Sequence, residues 1–159
     1  MTNRNQLFWI LALGSIIADR ITKAWVLKTF NLGDTTPLWP DIFHFTYVLN
    51  TGAAFSLFKG EVWLKWLSLL VSLGLMWLAS FGPRLSKWEQ AGYGFILGGA
   101  VGNGIDRFHT GAVIDFLDFR LINFPVFNLA DVSINLGVIC LLLAAFFWRS
   151  PTSPDPSQE

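Results

Sequence analysis

Asp115 and Asp131 are the residues of this chain whose type and placement point most directly to chemistry. Each sits beside segments apolar enough to lie in a lipid bilayer. An ionised carboxylate at the centre of a membrane helix costs about 2.5 to 3.5 kcal/mol on insertion scales. Two carboxylates that meet cost more, because neighbouring like charges cannot both ionise cheaply. That conflict favours one proton shared between two groups, and such a pair can activate water. The pattern predicts hydrolysis by paired aspartates in a membrane protein.

In an extended segment Val113, Asp115, Leu117 and Phe119 share one face, while Ile114, Phe116, Asp118 and Arg120 share the other. Asp118 therefore has Arg120 beside it, which predicts an ion pair. Asp115 has only apolar company on its face. Desolvation should raise its pKa and suit it to act as general acid, or as the protonated member of a pair. Asp131 follows Asn128 at the start of an apolar run. Asn128-x-x-Asp131 is the pattern of a helix N-terminal cap. The same position favours a negative charge, which suits a base that stays ionised. Both readings of Asp131 stand at this point.

The other polar candidates each carry two readings. Asn103 and Arg107 are four apart and share a helical face. They suit either peptide carbonyls or a lipid phosphate. Asp19 and Lys23 are spaced for an intrahelical ion pair, with Lys23 extending toward the membrane interface. Asp106 is read as a local structural partner. Asn50, in the turn sequence NTG, is a turn former or a site residue. His44 and His109 lack ligand-spaced partners, so no metal is expected, and water activation by two carboxylates needs no cofactor. No serine or cysteine nucleophile arrangement stands out. The single cysteine, Cys140, lies in an apolar run, reads as a small buried hydrophobe and excludes an internal disulfide.

These residues must be positioned by membrane elements. Of 159 residues, 53% are hydrophobic and 14% charged, against about 25% charged in a soluble domain. The formal net charge is zero, so nothing suggests a nucleic-acid partner. Eight tryptophans and fifteen phenylalanines suit interface belts. A bilayer core needs about 20 mostly apolar residues per helix. Four segments qualify: 7–27, 62–81, a weaker 91–105, and 128–148. The first follows Arg4 as a signal peptide would. Asp19, Arg20 and Lys23 interrupt it, however, and no small-x-small cleavage site follows, so we read it as a span.

An even number of spans places both termini on one side. Charge does not orient the bundle: Arg4, Arg84, Lys87 and Arg149 on one face balance Lys28, Lys59, Arg107 and Arg120 on the other. Two long loops share the face opposite the termini. In the first, Phe43, Phe45, Tyr47 and Leu49 alternate with His44, Thr46, Val48 and Asn50, the period of a half-buried strand. Thr51-Gly52 supplies a turn, and alternation resumes at Phe55 and Leu57. The second loop carries AVIDFLDFR. Together they predict a small antiparallel sheet on the membrane surface. The third span holds Gly94, Gly98 and Gly102 at small-xxx-small spacing, for close helix packing or for room beside a ligand's backbone. One domain over 1–149 is expected, with a Pro- and Ser-rich disordered tail at 150–159.

The blocks DRITK (19–23), NTGAAFSLF (50–58), GNGIDR (102–107), VIDFLDF (113–119) and FNLAD (127–131) resemble, in order and spacing, those of the bacterial lipoprotein signal peptidases, the signal peptidase II family. The resemblance spreads across most of the chain. It implies a membrane α-helical fold, a bundle of four transmembrane helices with a small extramembrane β-sheet on the periplasmic side. It places the protein in the bacterial cytoplasmic (inner) membrane with cytoplasmic termini and an outward-facing active site. It implies an aspartic endopeptidase that cuts diacylglyceryl prolipoproteins just before the lipidated cysteine, among membrane lipid, and is inhibited by globomycin; nothing in the sequence demands an oligomer, so a monomer is expected. Asp115 and Asp131 match the catalytic aspartates. Asn50, Asn103, Arg107 and Asn128 match residues that contact substrate or support the site, and Asp19, Lys23 and Asp106 match structural polar positions. The turn at 52–54 is expected to act as a hinge of the first loop. Two rivals remain on residues alone: a proton or ion carrier relaying through Asp19, Asp115 and Asp131, and a phosphoryl transferase, which would want a cation site.

Overall fold

The computed structural model describes residues 4–52 and 63–147. Four long helices and one sheet account for most of them: α1 (Gln6–Thr29), β1 (Thr35–Trp39), β2 (Phe43–Asn50), α2 (Trp63–Phe81), α3 (Lys87–His109), β3 (Val113–Phe119) and α4 (Leu129–Phe147). α3 is the central helix and packs against α1, α2 and α4.

The helix bounds differ most from hydropathy at α3, which extends beyond the apolar stretch 91–105 at both ends. Local hydrogen bonding outweighs hydropathy there. Ser86 and Glu89 form a reciprocal capping box at the start, and the Thr110 backbone N–H closes the last turn on the Asp106 carbonyl. The glycines of α3 let backbones meet. A Cβ on Gly94 would fall 2.6 Å from the Phe8 carbonyl oxygen of α1, and one on Gly99 would strike the Ala130 carbonyl of α4. Small residues thus set both helix contacts.

Far from the candidate aspartates, Asn5 ties three elements together. Its Nδ2 donates to the Ala79 carbonyl at 3.0 Å, its Oδ1 accepts from the Leu85 backbone at 3.0 Å, and Arg4 donates to the Gly82 carbonyl. Phe8, Ala12, Ala79 and Leu97 make the core at this end. Outward, the helices carry exposed apolar side chains such as Ile10, Ile21, Leu70, Trp77 and Leu142. Among the described residues, two helical segments, Trp63–Phe81 and Leu129–Phe146, are long and apolar enough to cross a bilayer by length and composition.

The sheet is antiparallel, in the order β1-β2-β3. β1 was not anticipated, because its TTPLW sequence does not alternate and contains proline; it is an exposed edge strand, where proline is tolerated. The alternation at Phe55 and Leu57, and the hinge beyond Gly52, lie outside the described residues. β2 contains an irregularity between Phe45 and Val48. This shift buries His44 and Tyr47 in place of one continuous face. Val26, Tyr47, Ile114 and Phe116 form a second core that docks the sheet on α1.

Candidate active site

Asp115 and Asp131 come from different layers, and one chain reversal joins them. After β3 a short 3₁₀ turn (Arg120–Ile122) ends at Asn123, whose φ of 50° turns the chain back. Phe127 then pairs with Leu117: its carbonyl accepts from the Phe116 and Leu117 backbones, and its N–H donates to Leu117. This delivers Asn128, and with it the start of α4, beside Asp115.

Three asparagines hold the two carboxylates. Asn50 Nδ2 donates to Asp115 Oδ2 at 3.0 Å, and Asn128 Nδ2 donates to Asp115 Oδ1 at 2.6 Å. Asn103 Nδ2 donates to Asp131 Oδ1 at 2.8 Å, and the Asn128 backbone donates to Asp131 Oδ2 at 3.2 Å. Asn128 Oδ1 accepts from the Asp131 backbone at 3.0 Å. The capping pair therefore forms, in the same geometry that places Asp131 in the site. The cap and the placement of Asp131 beside Asp115 are one arrangement.

Asp115 is buried, but its company is not only apolar: it has the amides of Asn50 and Asn128. Periodicity shows which residues share a strand face and cannot show an amide arriving from another element. Burial is still the larger influence. With the nearby charge of Asp131 it pushes the Asp115 carboxyl up to about 7, against the opposing amide hydrogen bonds. Asp118 behaves as its spacing predicts, pairing with Arg120 at 2.8 Å on the sheet. Burial would raise its pKa, but hydrogen bonds from Thr46 and Arg120 outweigh that and hold it below the usual carboxylate range.

Both aspartates line a cavity of about 1290 Å³. Asn50, Asn103 and Arg107 join them there, while Leu67, Val71, Ile96, Val132, Leu136 and Ile139 contribute apolar wall. Arg107 also donates to the Gly52 carbonyl at 3.2 Å. Asn128 is fully buried, with Nδ2 and Oδ1 both engaged inside the site.

Two structural expectations are corrected. Lys23 does not extend to the interface: it is 1% exposed, and its ammonium reaches Asp19, Asp106 and Asn103. Asp106 is not a local partner. It binds Lys23 at 2.7 Å and Arg20 at 2.7 Å, joining α3 to α1, and accepts from the Ile114 backbone at 3.3 Å. Opposite charges on facing helices satisfied one another in place of solvent. Among the described residues, no group of three or more His, Cys, Asp or Glu side chains is arranged to hold a metal ion.

The family model described as Signal peptidase (SPase) II matches residues 11–147. The chain belongs to the signal peptidase II family. It is 65% identical to a lipoprotein signal peptidase of Microcystis aeruginosa, over 94% of this chain and 98% of that one. With a lipoprotein signal peptidase of a Cyanothece species it shares 60% identity, over 100% of this chain and 99% of the other. A bacterial membrane enzyme solved in meso at 2.3 Å resolution superposes with a TM-score of 0.80 at 29% identity, covering 86% of this chain and 85% of that chain. Sequence reasoning missed the Arg20 role: its guanidinium reaches both Asp19 and Asp106. The available signal was charge balance, two acids and two bases in otherwise apolar segments.

Proposed function

We propose that Asp115 and Asp131 form the catalytic dyad of a membrane-embedded aspartic endopeptidase that removes the signal peptide from diacylglyceryl-modified prolipoproteins. The carrying observation is two carboxylates that both accept from Asn128, Asp115 from its amide and Asp131 from its backbone N–H, and that line a large cavity with apolar walls. Family membership selects this reading over the ion carrier and the phosphoryl transferase.

Asp131, at the N-terminus of α4, is the base. It takes a proton from water as the oxygen attacks the scissile carbonyl. Asp115, whose carboxyl is pushed up to about 7 and so keeps its proton in a substantial fraction of molecules at neutral pH, gives that proton to the carbonyl oxygen. Collapse of the tetrahedral intermediate breaks the C–N bond just before the lipidated cysteine. The proton held by Asp131 passes to the leaving amine, and Asp115 recovers its own. Arg107 and Asn50 are placed to hold peptide carbonyls along the cavity. The acyl chains lie against apolar wall and lipid, each buried methylene contributing about 0.8 kcal/mol. This affinity anchors the substrate while polar contacts set register.

The same reading makes all four helices transmembrane, with the termini cytoplasmic and the sheet at the outer face of the inner membrane, in one domain acting as a monomer. Exposed apolar faces on α1 as well as on α2 and α4 support it. A globomycin-type cyclic peptide is expected to compete for the cavity. The purified protein in detergent tests the proposal, offered a diacylglyceryl-modified prolipoprotein and separately its unmodified precursor. Cleavage of the first alone, abolished by Asp115→Asn or Asp131→Asn and unaffected by EDTA, supports it. Chelator-sensitive cleavage, or cleavage that survives both substitutions, overturns it.

A further inference from the structure

A buried lysine that lines no part of the cavity touches the asparagine network. Lys23 Nζ has three hydrogens and three acceptors: Asp19 Oδ1 at 3.0 Å, Asp106 Oδ2 at 2.7 Å and Asn103 Oδ1 at 3.1 Å. An ammonium only donates. A side-chain amide, by contrast, can turn over and exchange its oxygen for its nitrogen. With Lys23 beside it, Asn103 must present oxygen to the lysine, which leaves its nitrogen for Asp131. The same oxygen accepts from Asn128 Nδ2 at 3.0 Å. Asn128 is turned in the matching sense: its nitrogen also meets Asp115, and its oxygen meets the Asp131 backbone N–H.

We infer that Lys23 is a positioning residue for the reaction, setting through Asn103 and then Asn128 the direction of the amide hydrogen bonds on both Asp131 and Asp115. This rests on the dyad proposed above. A flipped Asn103 would turn hydrogens toward the Lys23 and Asn128 donors and an oxygen toward the Asp131 carboxylate. The charge of Lys23 is already answered. Asp19 and Asp106 face it, and Arg20 completes a neutral set of two acids and two bases. The other charged groups around this assembly are Arg107 from α3, Asp115 from β3 and Asp131 from α4. What Lys23 supplies beyond charge is an obligatory donor at a fixed place.

A double-mutant cycle of Lys23→Met and Asn103→Ala tests this, measuring cleavage of the diacylglyceryl-modified precursor in detergent. Misplacement of reacting groups by about 1 Å costs on the order of 10²-fold. Lys23→Met is expected to lower kcat by about that factor with KM kept. In the Asn103→Ala background the same substitution should change kcat less than about twofold, since coupled residues do not add. The acidic limb of the pH–rate profile should move alike in both single variants and no further in the double. Equal losses in both backgrounds overturn the inference and leave the dyad standing, because Lys23 would then act by charge or by folding alone. A parent protein that does not cleave overturns the dyad reading and this inference with it. Should Lys23→Met not fold, the cycle is run in an Asp106→Asn background, which restores neutrality of the buried set.

Discussion

Asn128 Nδ2 lies 2.6 Å from Asp115 Oδ1, and the oxygen of the same amide lies 3.0 Å from the Asp131 backbone nitrogen. One fully buried side chain thus grips both halves of the proposed dyad. It keeps a carboxylate on a strand and a carboxylate on a helix in a single unit.

Asp115→Asn and Asp131→Asn should each reduce cleavage by at least 10² to 10⁴-fold, the usual contribution of a positioned acid or base. Helical content by circular dichroism should stay at the parental value. Single-turnover cleavage of the lipidated precursor measures the loss.

The Asp115 carboxyl, pushed up to about 7, makes a signed prediction for stability. Between about pH 4 and pH 7 the folded state holds a proton at this group that the unfolded state has released. Stability from this group is therefore greatest below about pH 4, where both states are protonated, and falls as pH rises toward 7. The melting temperature of the parent minus that of Asp115→Asn should decrease over this window. A flat difference would show that the carboxyl is not perturbed.

Asp118 gives the opposite sign. Its pKa is held low by Thr46 and Arg120, so its contribution is present above the ordinary aspartate pKa and fades as pH falls through the depressed value. Arg120 is 40% exposed, so screening limits the pair to about 0.2 to 1 kcal/mol. Arg120→Ala should cause that small a loss in thermal unfolding at pH 7 and leave kcat within about twofold of the parent.

Glycines on two helices should respond differently. A Cβ on Gly99 meets the Ala130 carbonyl and lies 2.6 Å from Ile134 Cγ1. Gly99→Ala should therefore destabilise by about 1 to 3 kcal/mol and lower kcat, because the backbone that must yield adjoins Asp131. Gly14, on α1, has nothing within 4 Å of that position. Gly14→Ala should be neutral or stabilise by up to about 1 kcal/mol through helix propensity. Thermal melts and cleavage assays of the two variants check both statements.

Period and spacing made part of this molecule legible. Alternation located β2 and β3, apolar length located the helices, and residue spacing predicted the Asp118–Arg120 and Asp19–Lys23 pairs. What stayed hidden depends on contacts between distant segments. The Asn50 and Asn128 amides on Asp115 arrive from another strand and from beyond a chain reversal. Lys23 looked like an interfacial side chain because its partners Asp106 and Asn103 lie eighty or more residues away. The edge strand β1 escaped notice because an exposed strand needs no alternating pattern.

Asp115 travels with the sheet and Asp131 with α4, so the gap between them gauges how firmly one layer sits upon the other. A mild denaturant that loosens the Val26, Tyr47, Ile114 and Phe116 seam would silence the enzyme while its helices still read as intact.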